Sequence, residues 1–153
     1  MKKFTIRVYG ILQDPQRGVL VSDEWIREDR FTKFPGGGLE FGEGTRDCLA
    51  REFMEEMNLR VSVKEHIYTT DYFQRSAFNP AHQIISIYYA VQPEEEFAVR
   101  LKKKPFDFDE GELVRYRETK QTEAFRFVHW SEFGPEALSL PIDKIVAAQL
   151  RKP

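Results

Sequence analysis

Three consecutive glycines, Gly36-Gly37-Gly38, stand between Phe34-Pro35 and a run of glutamates, and no other stretch of the 153 residues limits the fold so strongly. A glycine run lets the backbone take torsions closed to other residues and lets other groups approach the bare chain. It predicts a break in regular structure at 34–38. After Gly42-Glu43-Gly44, Thr45 is the expected helix N-cap. Residues 46–57 bring Leu49, Ala50, Phe53 and Met57 to one side, the spacing of a helix packed on a core. Asn58 is the expected left-handed cap at its end, because Asn tolerates that conformation.

The polar side of this helix carries Glu52, Glu55 and Glu56 at i, i+3 and i+4, so the three carboxylates project from neighbouring points. Like charges so placed repel by about 0.2–0.5 kcal/mol per pair. A divalent cation relieves that repulsion, and an all-oxygen donor set suits magnesium or manganese. Arg51 is placed to pair with Glu43 and tie the loop to the helix. The backbone at Gly36, Gly37 and Gly38 is open to phosphate oxygens. Loop and helix together predict a surface for handling phosphate.

The spacing from Gly37 to Leu59 resembles the Nudix box, G-x5-E-x7-R-E-U-x-E-E-x-G-U with U a bulky apolar residue. Gly37, Glu43, Arg51, Glu52, Phe53, Glu55, Glu56 and Leu59 match, and Asn58 stands where the family has its second glycine. The six matching Gly, Glu and Arg positions arise by chance on the order of once in ten million starts, which outweighs the reading of a solvated face beside a flexible turn. The resemblance implies a Nudix fold, an α/β/α sandwich with a mixed sheet, formed by one domain over 1–153. It implies a pyrophosphohydrolase that cleaves a phosphoanhydride bond in a nucleoside diphosphate derivative with Mg²⁺ or Mn²⁺. The substrate would be a nucleoside triphosphate, a nucleotide sugar, ADP-ribose, a dinucleotide or a capped RNA end. Glu52, Glu55 and Glu56 would be the metal ligands with the Gly36 carbonyl, and Arg51 and Glu43 the supporting pair. Glu123 is the candidate general base outside the box, with Glu118 and Glu112 as competitors. The alternative class is a Nudix-like module that binds a nucleotide metabolite without turnover, which loss of box carboxylates would favour. A homodimer is a family-level expectation.

Around the box, residues 4–13 read as a half-buried strand with Phe4, Ile6, Val8 and Gly10 on one face. Asp14 to Gly18 reads as a turn and Val19–Val21 as a returning strand, so the first two elements suggest a hairpin. Glu24 to Lys33 reads as a charged connection. Residues 61–70, 83–91 and 124–130 are strands by composition, and 92–123 is charged and irregular. A C-terminal helix is expected over 142–152, with Ile142, Ile145, Val146 and Leu150 on its stripe. This order is that of an α/β fold with a mixed sheet. Trp25, Tyr72, Phe73 and Phe78 are candidates to stack on a base, with core packing the stronger reading. Arg27, Arg30 and Lys33 precede the glycine run and are candidate phosphate contacts, Arg30 first among them.

A formal net charge of −2 gives no polybasic footprint for duplex nucleic acid or an anionic membrane, and Lys102-Lys103-Lys104 reads as a solvated loop. The single cysteine, Cys48, excludes an intrachain disulfide and a multi-cysteine metal site and reads as a packed helix residue. His66, His82 and His129 lack metal-ligand spacing. The N-terminus has no continuous apolar core, so neither a signal peptide nor a membrane span is expected, and a cytoplasmic setting is the default.

Overall fold

Alternation at the N-terminus builds β1, Lys3–Ile11, which turns Val8 and Gly10 towards a helix and Thr5, Arg7 and Tyr9 the other way. A computed structural model describes the chain from Met1 to Pro153. Besides β1 it contains β2 (Gln13–Asp14), β3 (Gly18–Ile26), β4 (Asp29–Lys33), β5 (Gly36–Gly38), β6 (Val61–Thr69), β7 (His82–Pro93) and β8 (Gln121–Val128). The helices are α1 (Thr45–Met57), α2 (Glu110–Thr119) and α3 (Pro141–Gln149), with a 3-10 turn at Pro135–Ala137. No helix is long and apolar enough to cross a membrane. The chain divides into two compact units, one of Met1–Leu12 with Pro35–Glu96, the other of Gln13–Phe34 with Phe97–Pro153.

The first unit is a mixed four-stranded sheet in the order β5-β1-β7-β6 with α1 packed on it. β1 runs parallel to β7 and antiparallel to β5, and β6 is antiparallel to β7. The helix buries Cys48, Leu49, Phe53 and Met57. Phe53 lies on the strand where β1 has no side chain, since a Cβ on Gly10 would come within 2.6 Å of its ring. Truncating a ring so enclosed costs about 3–5 kcal/mol.

The second unit is built on β3, with β8 along one edge and β2 and β4 along the other. Its core includes Val19, Leu20, Val21, Phe34, Leu138, Ile142 and Val146. It also buries charge. Asp23 accepts from Arg126 Nε at 2.6 Å, Arg126 Nη2 at 3.1 Å, Thr32 Oγ1 at 2.7 Å and the Phe106 amide at 3.3 Å. Glu24 pairs with Lys33 Nζ at 2.9 Å, and Lys33 also donates to the Phe34 carbonyl.

Several sequence expectations need correction. Residues 24–33 are not a connection: β3 and β4 pair as a hairpin around Arg27-Glu28, with Arg27 left-handed. β1 pairs with β5 and β7, and only the two residues of β2 pair with β3 across the 14–18 turn. The glycines do not break regular structure but form a strand against β1, because an antiparallel partner needs only backbone groups. Thr45 is the first helical residue, Gly44 takes the capping position, and the Thr45 hydroxyl meets the Tyr89 hydroxyl at 2.7 Å. The 92–123 segment holds α2, opened by a reciprocal capping box of Asp109 and Glu112. Lys102 is buried, with Nζ 2.8 Å from Glu112, 3.4 Å from Asp109 and 2.9 Å from the Asp107 carbonyl, so it is no part of a solvated loop. In α3 the buried residues are Ile142, Asp143, Val146 and Ala147, and Ile145 lies outside.

Candidate active site

β5 leads through the turn at 39–44 into α1, so the glycines and the glutamates are neighbours in one unit. The turn is fastened at Leu39, whose amide donates to the Ile6 carbonyl. Glu43 fastens it further, accepting from the Glu40 amide at 2.9 Å and from Arg51 through two nitrogens at 2.7 and 2.9 Å. Arg51 donates as well to the Gly38 carbonyl at 3.1 Å, to Glu52 at 3.1 Å and to Glu55 at 3.1 Å. One guanidinium therefore hydrogen-bonds three carboxylates and the end of the glycine strand, with Glu40 a fourth carboxylate at 3.7 Å. Five N–H groups in a planar fork make that sharing feasible.

These bonds set the protonation states. The Arg51 hydrogen bonds, then the Glu40 amide, hold the Glu43 carboxyl at about 2, below its ordinary 4.5. Arg51 is raised further still, chiefly by its bond to Glu43, and stays charged. Burial, followed by the Glu43 hydrogen bond, pushes the Cys48 thiol up to about 12, so it is no nucleophile at neutral pH.

Glu52 lies on the bare backbone of Gly37. A Cβ there would sit 2.3 Å from its carboxyl carbon, so no other residue fits without moving the carboxylate. The side chain of Glu55 is 59% exposed against 14% for Glu52, and Glu56 Oε2 is shielded from solvent. The three glutamates thus grade from open to enclosed across one helix face. At the far end of α1, Asn58 adopts φ 50° and ψ 42°, its amide donating to Met54 O and the Leu59 amide to Phe53 O. The left-handed turn that glycine usually makes is made by Asn.

Other candidates lie in the second unit. Glu123 is within β8, opposite Glu24 of β3. Glu112 is held by the α2 cap and Lys102, and Glu118 is exposed on α2. Lys33 is engaged by Glu24. The Arg30 guanidinium lies 4.2 Å over the Trp25 ring, on which Tyr116 stacks at 3.6 Å. Two groups that close to one ring centre cover opposite faces, so Trp25 offers neither to a base. Tyr72, Phe73 and Phe78, in the first unit, are exposed. The sequence reading missed the buried Asp23 and Glu24, although period-two alternation through Ser22-Asp23-Glu24 would have placed them on opposite faces of a strand.

Comparison with known proteins bears on the family and the fold. The NUDIX domain model matches residues 3–140. Among solved structures, a MutT NUDIX hydrolase from Burkholderia pseudomallei superposes with a TM-score of 0.65 at 15% identity, covering 97% of this chain and 98% of that one. A NUDIX hydrolase from Nitrosomonas europaea gives 0.59 at 15% identity over 93% and 84%. An ADP-ribose pyrophosphatase from Streptococcus suis gives 0.52 at 16% identity over 95% and 86%. At such identities the superpositions establish the fold, a mixed α/β architecture, while the match over 3–140 establishes membership: the chain belongs to the NUDIX family of hydrolases acting on phosphoanhydrides.

Proposed function

We propose that this NUDIX hydrolase holds a divalent cation, magnesium or manganese, between the carboxylates of Glu52, Glu55 and Glu56 and the Gly36 carbonyl, and cleaves the anhydride of a nucleoside diphosphate derivative there. The observation that carries the reading is the contact of Glu52 with the bare backbone of Gly37. It sets a carboxylate directly against bare glycine backbone, where no Cβ holds the two apart. The donor set fits the cation: carboxylate and carbonyl oxygens are what magnesium and manganese select. When bound, such a cation supplies Lewis acidity towards phosphate oxygens and lowers the pKa of coordinated water. The chain supplies the preorganisation. Arg51 and Glu43 hold the loop on the helix, and the Gly37 and Gly38 backbone orients phosphate. The match to the family runs through both units, which supports one functional domain over the chain. A non-catalytic binding module would gain support from a missing box carboxylate, and all three are present.

The test is a panel of nucleoside triphosphates, nucleotide sugars, ADP-ribose and dinucleotides assayed with Mg²⁺ and Mn²⁺, with products identified. Glu56→Gln should lower turnover on the order of a thousandfold while thermal stability changes little. Wild-type rates in that variant would sink the metal assignment.

A further inference from the structure

The second unit carries a cavity of about 550 Å³ that no box residue lines, walled by the segment after β8, the 3-10 turn and the end of α3. That volume lies within the range of small-molecule sites, about 300–1,000 Å³. Where α3 forms the wall, its side chains are Ala147 and Ala148, which leave the space open. The aromatic side is fixed from the core outward. The Phe133 ring lies 6.5 Å from Phe34, which is fully buried, and meets Trp130 in a T-shaped contact at 5.8 Å. The Trp130 indole N–H donates to the Asp14 carbonyl at 2.9 Å. A ring contact and a hydrogen bond together hold the indole plane, which presents a flat wall to a flat ligand.

The polar side is basic throughout. His129, Arg151 and Lys152 line the cavity, and no Asp or Glu does. Nδ1 of His129 accepts from the Ser131 amide at 3.2 Å and lies 2.9 Å from its hydroxyl, so the neutral ring carries its proton on Nε2 as a donor. Arg151 spends Nη1 on the Ala148 and Leu150 carbonyls, at 2.9 and 2.8 Å, and so holds the end of α3. Its Nε and Nη2 bond nothing in the chain, and neither Arg151 nor Lys152 has a carboxylate within 4.0 Å.

We propose that this cavity is a second, non-catalytic site for a nucleoside monophosphate, with the base against Trp130 and the phosphate held by Arg151, Lys152 and His129. Guanidinium donors match phosphate oxygens, and the ammonium and the imidazole N–H add donors beside them. Every base has a π-face, so stacking on one indole selects for flatness and not for base identity. A hydrolase of nucleotide anhydrides releases ligands of this class. The cavity binds them without turnover, since no carboxylate lines it to hold a cation.

The experiment titrates AMP, UMP, adenosine and ribose 5-phosphate into the full chain in EDTA, read by calorimetry and by tryptophan fluorescence. AMP and UMP should bind with Kd values within about fivefold of each other. Adenosine lacks the phosphate and ribose 5-phosphate lacks the base, so each should bind roughly tenfold more weakly or worse. AMP should quench the fluorescence of wild type and not that of Trp130→Phe, because Trp25, the other tryptophan, has both faces covered. Trp130→Phe keeps a ring for stacking, so calorimetry should still find AMP bound within about threefold of wild type. The double variant Arg151→Gln/Lys152→Gln should weaken AMP on the order of tenfold with an unchanged Tm and, with Mg²⁺, a kcat within about twofold. Three results each overturn the site: no saturable AMP binding to wild type without a divalent cation, an AMP Kd unchanged in the double variant, or ribose 5-phosphate binding as well as AMP. None of these readings requires turnover, so their failure leaves the reading of the α1 face standing, and an inactive wild type that binds AMP in EDTA leaves this site standing.

Discussion

The acids of the first unit and those of the second are paired in opposite ways. Around α1, one guanidinium is divided among Glu43, Glu52 and Glu55, and it keeps 23% of its surface open to solvent. In the second unit Asp23 is 1% exposed and receives four donors, two of them from a single arginine. The difference follows from what a carboxylate must do. A shared, half-open guanidinium can give up one carboxylate to a cation and keep the others, at modest cost in a high-dielectric setting. A buried carboxylate with every lone pair satisfied has nothing to exchange. Its desolvation is offset only while all its donors stay in place.

Removing one acid from each unit should therefore produce effects of different kinds, and the comparison breaks if it does not. Asp23→Ala leaves the Arg126 guanidinium buried without its partner and should destabilise the protein by about 3–5 kcal/mol. Glu52→Gln should shift the urea midpoint little, since Arg51 keeps Glu43 and Glu55, while turnover falls on the order of a hundredfold or more. Urea unfolding and steady-state kinetics on both variants read the two axes. Equal losses of stability would show that the box carboxylates are structural.

Acid titration sharpens the same contrast with a smaller effect. Glu43 titrates at about 2 in the folded chain against an ordinary 4.5, so folding favours its ionised form. The stability it contributes is fully present above about 4.5 and is lost as pH falls from there to about 2. The difference in Tm between wild type and Glu43→Gln should therefore be larger at pH 6 than at pH 2.5. A difference that does not change with pH would mean that Arg51 does not hold this carboxylate in solution.

The first unit was the more legible in sequence, for a physical reason. Its chemistry is local: Gly37 to Leu59 is one strand, one turn and one helix, so linear spacing becomes spatial spacing directly. Asn58 could be assigned a left-handed turn because that preference belongs to the residue itself. The second unit is assembled by long-range pairing. Asp23 and Arg126 meet only because β3 and β8 align, and nothing local to either residue announces the other. Lys102 looked solvated because its neighbours are lysines, yet its partners are Asp109 and Glu112 on an adjoining segment. Reading the glycines as a break failed through propensity: β5 needs no side chain, only a partner strand, and β1 supplies it. Helix α2 was legible and was missed, since Asp109-Glu110-Gly111-Glu112 has the spacing of a capping box within a segment judged by its charge.

That cap provides the finest form of the contrast between the units. At the start of α1, Gly44 offers no side chain to the first-turn amides. At the start of α2, Asp109 accepts from the Glu112 amide at 2.9 Å, and Glu112 returns a bond to the Asp109 amide at 2.8 Å. α2 buries no residue completely and is held to its unit chiefly by Tyr116 on Trp25 and Glu112 on Lys102, so its cap carries a larger share than the start of α1 does. Asp109→Ala should cost about 1 kcal/mol, the usual loss for a side-chain cap. Its hydrogen-exchange signature should be confined to 109–119, with protection across Thr45–Met57 unchanged. A loss of protection in α1 of similar size would join the two helices into one cooperative element and end the distinction between a helix held by its cap and one held by its core.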